Sequence, residues 1–267
     1  WKKYRQQVQD ATRNISCGIR INPGYAEVET DLYNPCISGS RMGVPLEQME
    51  DDFAGLDGIH FHTMCEQNSD VLERTLDHML PQFDKWLKRC KWVNFGGGHH
   101  ITRPDYDVER LVRCIERVRD TYGVQVYLEP GEAVALNAGY LVATVLDVVH
   151  NGMDIAILDA SAACHMPDVL EMPYRPHILY SGTAGEKTHT YRLAGNTCLA
   201  GDVIGDYSFD HQLQAGEKLV FCDMAIYSMV KNNTFNGVPL PDIALYQNGH
   251  IDLVKRFGYA DFEGRLS

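Results

Sequence analysis

No stretch of this 267-residue chain approaches the roughly 18 uninterrupted apolar residues of a membrane-spanning helix. The opening WKKYRQQVQDATRN likewise lacks the apolar core of a secretory signal. Both absences lead us to expect a cytoplasmic protein with no membrane partner. None of the eight cysteines forms a C-x-x-C pair, so neither a zinc ribbon nor a small disulfide scaffold is indicated, and reduced thiols are expected. Basic side chains are short: 24 against 36 acidic ones leave a net charge of −12. Such a field repels phosphate backbones and attracts cations, which argues against nucleic acid as a partner. An initiating methionine is also missing, and Trp1 falls inside a helix-like pattern. We therefore expect the chain to be the C-terminal part of a longer protein.

What is present has the texture of a globular protein, with 45% apolar and 22% charged residues. Strand-like runs at 15–21 (ISCGIRI), 59–62 (IHFH), 92–95 (WVNF) and 124–128 (VQVYL) alternate with helical patterns at 71–90 and 108–122. In the second of these, Leu111, Ile115 and Val118 recur at helical spacing. Alternating βα units imply a parallel sheet or barrel. Beyond about Leu136 the chain turns to short β-branched runs, LVATVLDVV, DIAILDA and KLVFC, separated by glycines. The expected class is α/β plus all-β: residues 1–138 as a partial (β/α)8 barrel and 139–267 as an antiparallel β-domain.

Barrel enzymes keep their chemistry at the carboxyl ends of their strands. There the sequence places Gly96, Gly97 and Gly98 after one strand and Glu129-Pro130-Gly131 after the next. Glycine turns in that position can cradle a phosphate with backbone N–H groups, although ordinary loops are glycine-rich too. His60 and His62 share one strand face, because side chains alternate. They could be core imidazoles, a metal pair of a barrel hydrolase, or a ring stacked on a planar cofactor. His99 and His100 are expected on a solvated loop surface. Glu129, emerging from a buried strand, must be paired or hydrogen-bonded.

These residues, with Arg20 in GIRINP, Cys198 to Asp202 in GNTCLAGD and Tyr227 in FCDMAIYS, occur in an order that resembles the alanine-racemase-like (fold type III) pyridoxal-phosphate decarboxylases. The words INPGYAEVETDLYNPC, HFHTMCEQN, LEPGEAVA, ACHMPDVLEMPYRP and HTYRLAGNTCLAGDVIGDYSF look closest to the carboxynorspermidine/carboxyspermidine decarboxylase branch, and the likeness extends over nearly the whole chain. The resemblance implies a (β/α)8 barrel joined to a β-domain, the chain carrying the C-terminal half of that barrel. It also implies pyridoxal 5'-phosphate as cofactor, a carboxylated polyamine as substrate, and a homodimer with shared active sites; a diaminopimelate-type decarboxylase is the alternative within the fold.

By the same resemblance Gly96, Gly97, Gly98, Gly131 and Tyr227 would hold the cofactor phosphate, with Arg20 also in the cofactor site. His62 would stack on the pyridine ring and Glu129 would face its nitrogen. That carboxylate would keep the ring nitrogen protonated, so the ring could accept the electron pair left when CO2 departs. Cys198 would work at the substrate α-carbon from the neighbouring subunit, and Asp202 would bind a substrate amine. Glu132 stands where related decarboxylases carry arginine, Leu199 replaces an acidic residue, and Cys65 occupies a position usually serine. Glu132 and Asp168 are expected to meet a cationic substrate. The lysine that anchors the cofactor is expected upstream of Trp1, and no metal is expected.

Overall fold

The computed structural model describes residues 1–172 and 174–267, which form two compact units, Trp1–Val134 and Ala135–Ser267. Pro173, inside the word EMPYRP quoted above, lies outside the described residues.

In the first unit a short helix α1 (Arg5–Gln9) precedes five parallel strands. They are β1 (Gly18–Asn22), β2 (Val44–Pro45), β3 (Gly58–His60), β4 (Trp92–Asn94) and β5 (Gln125–Tyr127), in the order β2-β1-β3-β4-β5. Helices α2 (Ser69–Leu87) and α3 (Val108–Tyr122) connect β3 to β4 and β4 to β5, as parallel pairing requires. The α2 helix starts where the Asn68 side chain accepts from Ser69 N, and α3 where Asp107 accepts from Arg110 N; both satisfy amides left open at a helix start. Gly123, at φ 67°, ends α3 in the left-handed conformation that glycine adopts at least cost. The apolar stripe of α2, including Leu72, Leu76, Met79 and Phe83, buries against Ile59, Phe61, Val93 and Phe95. β2 is a strand the sequence pattern missed, because Val44-Pro45 is too short to show any period.

A short helix α4 (Gly131–Ala135) lies at the junction in sequence between the units. In the second unit β6 (Leu141–His150), β7 (Asp154–Leu158), β8 (Gly182–Thr183), β9 (His189–Ala194), β10 (Val203–Phe209) and β11 (Lys218–Phe221) form one sheet in the order β11-β6-β7-β9-β10-β8. Its pairs are antiparallel except β7 with β9, which run parallel. That departs from the expected all-antiparallel sheet. The reason is the long connection from β7 to β9, which carries α5 (Ala162–His165) and α6 (Asp168–Glu171) and is long enough to return the chain in the same direction. After α7 (Tyr227–Val230) comes a separate hairpin, β12 (Ile243–Gln247) with β13 (His250–Lys255). Its Asn248-Gly249 turn has φ of 53° and 78°, the positive values a tight hairpin needs. Helix α8 (Tyr259–Leu266) closes the chain.

All eight cysteines are free thiols. Among the described residues no helix is long and apolar enough to cross a membrane.

Candidate active site

Strand register sets the first row of the site. Arg20 pairs with His60 and His60 with Asn94, so three polar side chains lie abreast near the carboxyl ends of β1, β3 and β4. Glu129 follows β5 and is tied in twice: its backbone N–H donates to Gly96 O at 2.8 Å, and its carboxylate accepts from Asn94 Nδ2 at 2.7 Å. Its other oxygen stands 3.7 Å from His60 Nε2. About half of the Glu129 side chain remains exposed, so the carboxylate is held in place yet open to a ligand. Burial pushes the His60 imidazole below its ordinary pKa, opposed by the neighbouring Glu129 charge. His62 is lowered for the same first reason, and next by the Arg20 charge. Both shifts favour the neutral ring.

The glycines define the second row. The Gly97 N–H donates to His62 Nδ1 at 2.8 Å, fixing the imidazole against the turn. Gly96 and Gly98 have φ of 74° and 82°, and a methyl at either would collide with backbone: with Phe61 O at 2.5 Å for Gly96, and with Met64 O at 2.1 Å for Gly98. A Cβ on Gly97 would stand 2.6 Å from Glu129 O. Three consecutive glycines are needed because the β4 turn passes between the chain ends of β3 and β5 with no room for side chains.

The two histidines that follow are not on a solvated surface, and that expectation is corrected. His99 is 1% exposed and His100 7%. The chain after Gly98 folds inward against the segment after β3, where His99 bridges to Gln67 and the His100 N–H donates to Gln67 O. Burial pushes the His99 pKa down to about 4. Its folded value thus lies below its unfolded value of about 6.5, so the unfolded chain binds the extra proton first and stability falls as pH drops between these values. We expect a loss of about 3 kcal/mol from this group across that window. Urea unfolding midpoints measured from pH 7 to pH 4 check it, because His99→Gln should flatten the slope.

Glu66, His100 and Glu132 come together beside these turns. One donor atom from each lies within 4.8 Å of the others, and His100 Nε2 is 3.6 Å from Glu132 Oε2. Among the described residues this is the one such convergent set of three or more. His60 and His62 do not belong to it, which leaves the barrel-hydrolase alternative without a ligand set among the described residues. Sequence reasoning missed Glu66, His100 and Asn94. His100 sits two residues after the glycines and Glu66 four after His62, so proximity along the chain was the available signal.

The second unit holds the remaining residues. Cys198 is exposed on the loop between β9 and β10. Asp202, expected to bind a substrate amine, is instead 2% exposed. Its carboxylate accepts from Ser161 Oγ at 2.8 Å, Thr197 Oγ1 at 2.7 Å and Ala163 N at 3.3 Å. Those contacts pin both ends of the Cys198 loop to the start of α5, so the buried Asp202 positions that loop. Asp168, at the start of α6, is ion-paired with Lys231. Tyr227, about half exposed as a residue, begins α7, with Lys231 Nζ 5.6 Å from its ring centroid.

Comparison with known proteins adds a second line of observation. The family model described as pyridoxal-dependent decarboxylase, C-terminal sheet domain, matches residues 13–225. A carboxynorspermidine/carboxyspermidine decarboxylase from Campylobacter jejuni is 44% identical over 96% of this chain and 71% of its own length. A carboxyaminopropylagmatine decarboxylase from Synechocystis is 41% identical over 100% of this chain and 69% of its own. A crystal structure of carboxynorspermidine decarboxylase complexed with norspermidine, from Campylobacter jejuni, superposes with a TM-score of 0.87 at 42% identity, covering 99% of this chain and 72% of that one.

Proposed function

We propose, from the premise that this chain belongs to the pyridoxal-dependent decarboxylases, that it removes CO2 from a carboxylated polyamine, carboxynorspermidine or carboxyspermidine. The observation that carries the reading is the row at the ends of β3 to β5, in which an exposed, hydrogen-bonded Glu129 stands beside a neutral His62 and a glycine turn that side chains would fill. That row suits the cofactor. Pyridoxal phosphate supplies an electron-withdrawing pyridine ring that takes up the electron pair left by CO2. The turn Gly96–Gly98, with Gly131, Arg20 and Tyr227, would hold its phosphate, His62 would lie against its ring, and Glu129 would hold a proton at the ring nitrogen. The relatives' named substrates and the chain's charge of −12 support a polycationic substrate.

The five-stranded unit is read here as part of a (β/α)8 barrel, with residues 1–138 the cofactor-binding portion and 139–267 the β-domain. Cys198 acts at the substrate α-carbon, and we assign it to the site of the neighbouring subunit in a homodimer, in the cytoplasm. Glu132 and Asp168 face the cationic substrate, Asp168 doing so while paired with Lys231.

Subunit mixing tests this arrangement. Glu129→Gln and Cys198→Ala each impair every site of their own homodimer. After random exchange, about a quarter of the sites should join an intact Glu129 to an intact Cys198 from the partner. Release of CO2 from carboxynorspermidine should then reappear. Exchange shown by mass labelling, with no regained activity, would place Cys198 in its own subunit or outside the chemistry.

A further inference from the structure

We infer that Glu66, His100 and Glu132 form a subsite for a terminal ammonium group of the substrate; this rests on the polyamine reading above and extends it to two residues that reading does not use. The first support is a buried group without a partner. His100 is 7% exposed, and among the described residues neither ring nitrogen has a hydrogen-bond partner, while Nε2 faces Glu132 at 3.6 Å. A polar ring kept out of water in this way costs free energy until something meets it. In the tautomer with its proton on Nδ1 the ring accepts at Nε2, and a cationic donor placed there would meet both that nitrogen and the carboxylates beside it.

The second support is spacing. A primary ammonium offers three N–H donors on one nitrogen, and bonds of about 2.8 Å in tetrahedral directions put three acceptors about 4.6 Å apart. The three donor-set atoms lie within 4.8 Å of one another. His100 Nε2 and Glu132 Oε2, at 3.6 Å, would also suit a metal ion with bonds of about 2.1 Å, which needs its donors about 3.4 Å apart, so the test below includes one. The third support is position. The residues follow His62, Gly98 and Glu129 by four, two and three places, so the subsite lies on the same three strand-end loops as the cofactor row. Two carboxylates there also answer the charge of a polyamine, whereas Asp202 is buried against Ser161 and Thr197.

The test uses the cofactor-loaded, full-length enzyme and norspermidine as the probe, with binding measured by titration calorimetry and the cofactor spectrum recorded in parallel. Glu66→Gln is the main variant, since Glu66 is exposed and its exchange leaves packing intact; Glu132→Gln and His100→Gln accompany it. Norspermidine Kd should rise about tenfold in Glu66→Gln and in Glu132→Gln, with an unchanged cofactor spectrum. An unchanged Kd in Glu66→Gln overturns the subsite. So does stoichiometric Mn2+ binding that these variants abolish, which would make the cluster a metal site. Turnover of carboxynorspermidine by the unaltered enzyme separates the two levels: where it holds and Kd does not move, only the subsite falls; where it fails, the substrate reading falls and the subsite with it.

Discussion

Glu129→Gln should lower kcat for decarboxylation about a hundred- to a thousandfold while the protein keeps its cofactor. The amide preserves the shape and can still accept from Asn94 Nδ2, but it cannot hold a positive ring nitrogen beside it. Stabilisation of charge that develops only in the transition state is then lost, at about 3–4 kcal/mol. Because Glu129 is half exposed and its backbone bond to Gly96 O is untouched, folding should be unaffected. The checks are kcat from CO2 release and the cofactor absorbance of the purified variant. A variant with unchanged turnover and bound cofactor would remove Glu129 from the chemistry.

The second large effect is expected at Gly98→Ala. Two penalties add there: the left-handed φ of 82° and a methyl placed 2.1 Å from Met64 O and 2.3 Å from its carbonyl carbon. Strain of about 1–2 kcal/mol and overpacking of about 1–3 kcal/mol give a loss of about 2–5 kcal/mol. Because the displaced backbone is the turn that would hold the phosphate, cofactor retention should fall as well. Gly123→Ala isolates the first penalty, for that glycine has φ 67° and nothing within 4 Å of an added methyl. It should cost about 1 kcal/mol and leave cofactor binding alone. Denaturant midpoints and cofactor stoichiometry of the two variants check the contrast, and equal losses would show that the crowding at Gly98 is relieved at no cost.

Much of this was readable from residue order. The α3 boundaries followed from the spacing of Leu111, Ile115 and Val118, and the turn at Gly96–Gly98 from three glycines after an apolar run. Strand alternation put His60 and His62 on the face opposite Phe61, which is fully buried against Phe95. What escaped were features set by contacts far apart in sequence. β2 pairs through only two residues, and the β7–β9 pair is parallel because of a crossover whose helices are a single turn each. Asp202 reads as a substrate ligand from its GNTCLAGD context, yet Ser161 and Ala163, some forty positions earlier, claim its oxygens. His100 reads as loop surface until Gln67 and Glu132 are seen beside it. Polarity along a chain says which groups need partners; only the fold says who supplies them.

The central claim is the substrate, and the most direct measurement is CO2 release by the purified, cofactor-loaded full-length enzyme presented in parallel with carboxynorspermidine, carboxyspermidine, carboxyaminopropylagmatine and diaminopimelate. The account predicts kcat/KM for carboxynorspermidine or carboxyspermidine at least a hundredfold above diaminopimelate, whose second carboxylate would meet Glu132 and Glu66. Diaminopimelate turned over as well as the carboxylated triamines would contradict it, and so would a preference for carboxyaminopropylagmatine.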